Sequence, residues 1–168
     1  MKFIFRVLLI LLGTLAKAQS LSEIYEKVNP AIVVILTEQK ELVSSGEKTQ
    51  SVTAGGLGSG FMISDTQLIT AAHVVQVAEK VNVQFLEGEI IPAKVISAYA
   101  KADVALIELI WPKKDAVTLN LADSDQVKIG EQVFVVGAPY GLGHSLSLGY
   151  VSGIFKDKKD KIPFTTSE

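Results

Sequence analysis

Leu68-Ile69-Thr70-Ala71-Ala72-His73-Val74-Val75 carries an imidazole from the end of a short apolar strand into a turn built of small residues, the placement a catalytic base requires. Thirty residues later, Ala102-Asp103-Val104-Ala105-Leu106-Ile107 sets one carboxylate at the head of a run too apolar to tolerate an unpaired charge beside it. A hydroxyl is a poor nucleophile at neutral pH. Acyl transfer therefore needs a neutral imidazole in reach of it, and a carboxylate that holds the imidazole's tautomer and stabilises its charged form. His73 and Asp103 supply those two chemistries in the chain order His, Asp, then Ser. No Gly-x-Ser-Gly stands among the 168 residues, and Ser145, Ser147, Ser152 and Ser167 lack the flanking glycines that shape an oxyanion turn.

Strand patterns extend on both sides of this stretch. Ala31 to Leu36 is an apolar, β-branched run, and Phe61 to Ile63, Leu68 to Thr70, Val81 to Phe85, Ile90 to Ala100 and Val104 to Leu109 follow as short strands. Val81, Val83 and Phe85 alternate with Asn82 and Gln84, the period of a half-buried strand. Six strands are enough to close one small barrel. The polar, Lys-, Glu-, Ser- and Gln-rich stretch from Thr37 to Ala54 reads as a long surface loop. Before the first strand, Leu21, Ile24, Tyr25 and Val28 recur at helical spacing between a capping Ser20 and an Asn29-Pro30 stop, so residues 19–30 are expected to form a short helix.

Residues 31–110 thus make a first β-barrel, and 111–131 a polar connector with Lys113, Lys114, Asp115, Asp123, Asp125 and Lys128. Residues 132–168 begin a second barrel and leave it incomplete. Within them, Gln132 to Val136 and Ser145 to Phe155 are strand-like, the turn Gly137-Ala138-Pro139-Tyr140-Gly141-Leu142-Gly143 lies between, and Lys156 to Lys161 is a charged loop.

Met1 to Ala18 has Lys2 and Arg6 in its head, the apolar run Val7 to Leu12 and an Ala16-Lys17-Ala18 end, the pattern of a cleaved signal peptide. Its apolar run is well short of the ~20 residues that span a bilayer. Removing it takes away Lys2, Arg6 and Lys17 and no acid, so the net charge goes from −2 to −5. A mildly acidic chain has no electrostatic footprint for nucleic acid. At 48% hydrophobic and 20% charged, the chain is neither disordered nor fibrous. There is no cysteine, so neither a disulfide nor a thiolate metal site supports the fold.

Other site readings are poor. Gly55-Gly56-Leu57-Gly58-Ser59-Gly60 has no Gly-Lys-Ser/Thr after it and leads into a strand rather than a helix, so a phosphate loop gives way to a loop end with tight backbone approach. His73 and His144 lack a third metal ligand at usable spacing, which leaves His144 a loop residue. No metal or cofactor is expected.

Five segments together resemble the HtrA (Deg) branch of the trypsin-like serine endopeptidases: Val28-Asn29-Pro30-Ala31-Ile32-Val33, Gly58-Ser59-Gly60-Phe61, Leu68 to Val74, Ala102 to Ile107 and Gly137 to Leu142. The resemblance runs in order from Leu21 to Ile154. It implies an all-β, trypsin-like double β-barrel with the site between the barrels, His73 as general base and Asp103 as its orienting acid. It also implies an exported protease of envelope protein quality control that cleaves exposed segments of misfolded proteins. With no cysteine, a bacterial periplasmic setting fits better than an animal secreted one. Family members carry Gly-Asn-Ser-Gly-Gly soon after a segment like Ile162-Pro163-Phe164-Thr165-Thr166, then one or two PDZ domains. The nucleophile and a PDZ domain are thus expected beyond residue 168, the chain alone is expected to be inactive, and the family suggests a homotrimer. The competing reading is a non-catalytic, protease-like barrel that binds peptides along a strand edge.

Overall fold

The computed structural model describes residues 20–45, 48–138 and 144–154. The expected signal peptide, the turn from Pro139 to Gly143 and the charged loop from Lys156 lie outside these residues. Helix α1 (Leu21–Val28) starts as its sequence dictates. Ser20 Oγ accepts the Glu23 N–H while the Glu23 carboxylate accepts the Ser20 N–H, a reciprocal cap that satisfies two otherwise orphaned donors. A 3₁₀ turn with Pro30 in its first positions ends the helix and feeds the first strand.

Six strands close into an antiparallel barrel: β1 (Ile32–Ser45), β2 (Lys48–Met62), β3 (Gln67–Thr70), β4 (Lys80–Gln84), β5 (Ile90–Tyr99) and β6 (Val104–Leu109). Their order around the barrel is β1-β2-β3-β6-β5-β4, and β4 returns to β1 through Val34↔Gln84 to Glu38↔Lys80. The expected six-stranded barrel and short amino-terminal helix are both present. Alternation decides which side chains enter: Val33 and Ile35, Val81 and Val83, and Ala105, Ile107 and Leu109 point inward with Met62, Leu68 and Ile91 into one buried cluster. Between Val95 and Ser97 the register with β6 slips at a bulge, which bends β5 so that the barrel can close.

The stretch from Thr37 to Ala54 is not a surface loop. Its residues form the two arms of a hairpin, paired from Thr37↔Gly56 to Ser45↔Lys48. Beyond Glu38↔Lys80 on one side and Gly60↔Thr70 on the other, no further strand among the described residues pairs with this ribbon. The ribbon's sequence carries no apolar period, so hydrophobic patterning could not report it. Only the β-branched residues Thr37, Val43, Thr49, Val52 and Thr53 hint at strand.

The connector runs along the barrel, donating Lys113 N–H to the Asp65 carbonyl and Leu119 N–H to that of Met62. Lys113 Nζ meets both Glu87 and Glu89 and lies 5.1 Å from the centre of the Phe85 ring. A second sheet pairs β7 (Gln132–Gly137) with β8 (Ser145–Tyr150).

His144 is a loop residue just before β8, as expected, but a tied one: it is half-buried, its Nδ1 on Asn29 Oδ1 and its carbonyl accepting the Tyr25 hydroxyl at 3.0 Å, so α1 and the turn after it are joined to the start of the second sheet. Burial pushes its imidazole below the ordinary histidine value, against an opposite pull from Asn29. The unfolded chain therefore binds this proton more readily. The stability it contributes is complete above about pH 6.5 and is lost as pH falls below that toward the folded value. Urea midpoints of wild type are expected to fall in that window, and His144→Gln to lack that part of the fall.

Candidate active site

Strand β3 ends at Thr70, and Ala71 turns the chain into the single-turn helix α2 (Ala72–Val75), which carries His73. Ala71 is the helix's N-cap residue and has no side chain able to cap. The missing acceptor comes from Asp103, whose Oδ1 takes the His73 N–H at 2.9 Å. The same carboxylate faces the ring: His73 Nδ1 lies 2.8 Å from Oδ2 and 3.0 Å from Oδ1. Asp103 thus caps the backbone and orients the side chain of one residue. An ionised carboxylate only accepts, so Nδ1 carries the hydrogen and the Nε2 lone pair is left available.

Asp103 itself sits at the end of the turn from Ala100, with φ of 54°, a left-handed backbone that Asp tolerates better than most residues. That turn aims the carboxylate at α2 just before β6 enters the core. The backbone N–H of His73, and then its ring, hold the Asp103 carboxyl below the usual aspartate value. Burial beside Val104 to Ile107, expected to force the pairing, is not what holds it. The side chain is 51% exposed and that of His73 71%, so the contact rests on hydrogen-bond geometry rather than on exclusion of water. Among the described residues no hydroxyl is hydrogen-bonded to His73 Nε2.

The turn is fastened to β2 at Gly58-Ser59-Gly60. These glycines lie inside a strand rather than at a loop end, and the tight backbone approach expected of them is present. Val74 lies against Gly58 so closely that a Cβ there would be 2.5 Å from Val74 Cγ1. Thr70 Oγ1 donates to the Ser59 carbonyl at 2.7 Å, and Ser59 Oγ accepts the Ala138 N–H at 2.9 Å. Ser59, Thr70 and the capping by Asp103 carry no sequence pattern that singles them out. The uncapped Ala71 was the one available signal, since it leaves α2 donors in need of an outside acceptor. Gly58→Ala is expected to destabilise by about 1–3 kcal/mol, the range for overpacking a filled site, and to displace His73, read as a lowered urea midpoint with shifted His73 resonances.

His144 lies with Asn29 and Tyr25 rather than beside His73, and among the described residues no group of three or more His, Asp or Glu could hold a metal ion. What His73 and Asp103 can do chemically is accept a proton at Nε2 and stabilise the resulting imidazolium.

The family model described as "Trypsin-like peptidase domain" matches residues 58–167. The chain therefore belongs to the trypsin-like peptidase family, and its relatives place it in the HtrA (Deg) branch. It is 37% identical over 110 residues to a probable periplasmic serine endoprotease DegP-like of Halomonas elongata, covering 65% of this chain and 23% of that one. It is 31% identical over 156 residues to the periplasmic pH-dependent serine endoprotease DegQ of Escherichia coli, covering 83% and 34%. The chain thus spans about a third or less of the length of these relatives. The solved HtrA-type protease AlgW with decapeptide matches at a TM-score of 0.67 and 18% identity, over 84% of this chain and 48% of that one, and shows the shared fold.

Proposed function

We propose that this chain is the part of an exported serine endopeptidase that carries the general base His73 and its orienting acid Asp103. The nucleophilic serine is supplied from beyond residue 168. The observation that carries the reading is the double use of Asp103, which holds the backbone and Nδ1 of His73 at once and leaves Nε2 open to a hydroxyl. In the reaction, Nε2 takes the serine proton as the hydroxyl attacks a peptide carbonyl, then returns it to the leaving amine, and water hydrolyses the acyl-enzyme.

In this reading residues 1–18 are a signal peptide, 19–30 the amino-terminal helix, 31–110 the first barrel, 111–131 the connector and 132–168 the start of the second barrel. The setting is the bacterial periplasm, the substrates are exposed segments of misfolded envelope proteins, and a PDZ domain follows. The relatives' names, periplasmic serine endoproteases, support that setting.

The test is casein hydrolysis by the full-length protein, with a serine-directed phosphonate as label. His73→Ala is expected to abolish most turnover and most labelling while leaving the fold intact. Undiminished hydrolysis by His73→Ala would show that the imidazole is not the base.

A further inference from the structure

We propose that Ser59 is a positioning residue that sets the second sheet against the base-bearing turn; the inference rests on the reading of His73 as general base. Two hydrogen bonds meet on this one residue. Its carbonyl accepts Thr70 Oγ1–H at 2.7 Å, three residues before the imidazole. Its hydroxyl oxygen accepts the N–H of Ala138 at 2.9 Å, 79 residues away in the chain and immediately after β7.

Both donors are shielded from water, Thr70 being 5% and Ala138 1% exposed, so neither bond can be exchanged for one to solvent without moving the chain. Packing agrees with the hydrogen bonding. A Cβ on Gly137 would lie 3.4 Å from Ser59 Oγ, so the end of β7 passes directly over the serine. Val74 closes on the neighbouring Gly58 from the other side of His73. The turn is therefore gripped before and after the imidazole by one strand segment, and that segment's central residue also holds the second sheet.

In a two-barrel acyl-transfer site the base comes from one unit and its reaction partners from the other, so the relative placement of the units fixes the proton-transfer distance. A base works within about 2.6–3.2 Å of its proton donor, and a displacement of about 1 Å is enough to lose on the order of 10² in rate. Ser59 is where that placement is set. The tie at His144 runs to Tyr25 of α1, and the Ala138 N–H has Ser59 Oγ as its acceptor.

The experiment has three arms. In the isotopically labelled chain, Ser59→Ala is expected to speed exchange of the Ala138 amide about 3- to 10-fold, the size of one lost hydrogen bond, without changing exchange in β6. Thr70→Val, which keeps the shape and removes the donor, is expected to move the Asp103 carboxyl titration up toward the ordinary value, and Thr70→Ser to leave it in place. In the full-length protein, Ser59→Ala is expected to lower kcat about 10- to 100-fold with KM unchanged. A residue that merely added stability would lower the melting point and leave kcat of the folded enzyme alone. Unchanged Ala138 exchange, an unmoved Asp103 titration in Thr70→Val, or wild-type kcat in Ser59→Ala would each overturn the proposal. If instead His73→Ala keeps its activity, the functional reading fails, and the exchange and titration arms still report on the joint by themselves.

Discussion

In the proposed reaction, Asp103→Asn is expected to lower the turnover of the full-length protein on the order of 10⁴-fold while the protein stays folded, the loss this exchange produces in trypsin-class triads. The amide oxygen of Asn can still accept the His73 N–H, so the cap on α2 survives. The amide nitrogen can only donate, and it faces Nδ1 where a carboxylate oxygen stood at 2.8 Å. The imidazole is expected to answer by moving its hydrogen to Nε2, the atom that takes the serine proton in the proposed reaction. The base is thus disabled by its tautomer rather than by its position. Casein hydrolysis gives the rate, and the ¹⁵N shifts of the ring give the tautomer; a rate loss with Nδ1 still protonated would refute this account. Asp103→Ala is expected to differ, because it also strips the cap and frees the α2 turn. Below the usual aspartate range the wild type should show the same weakness: the carboxyl's depressed value means that the stability it contributes is present above about pH 4 and disappears as falling pH protonates it.

The second large effect lies in the barrel. Ile107→Ala is expected to destabilise by about 2–5 kcal/mol, read as a drop in the urea midpoint at unchanged slope. Ile107 is fully buried on β6, flanked by Leu68 of β3 and Val95 of β5, and four residues along the strand from Asp103. A cavity there has little way to collapse, because the strands around it are joined in a closed ring. Leu148→Ala on the exposed β8 should change stability by no more than about 0.5 kcal/mol under the same conditions. Comparable losses at the two sites would mean that the barrel does not hold the core.

The parts of this protein that were legible in its sequence are those where chemistry or burial leaves few choices. Val81 to Phe85 could face a core in only one register, and His73 and Asp103 could each be explained by the other. The ribbon from Thr37 to Ala54 was illegible because its pairing is a matter of backbone alone, and polar side chains carry no record of it. Asp103 was found for an incomplete reason: it is half-exposed, and what commits it to His73 is the set of donors that Ala71 cannot cap. Ser59 was hidden for a related cause. A lone serine between glycines says nothing about a peptide N–H that approaches it from 79 residues away.

The ribbon formed by the far halves of β1 and β2 gives the protein an adjustable arm. From Gln39↔Ala54 to Ser45↔Lys48 it reaches about 20 Å at the ~3.4 Å rise of an antiparallel strand. Its length is uncoupled from the barrel, whose closure is fixed by pairs nearer the base such as Ile32↔Phe61 and Val34↔Gln84. Residues added or removed two per arm preserve which side chains face which way, and they alter reach without altering the ring of strands that holds His73 and Asp103. Evolution or an engineer can therefore rebuild this arm, or graft a recognition sequence onto its tip, while the chemistry at the other end of the same two strands stays as it is.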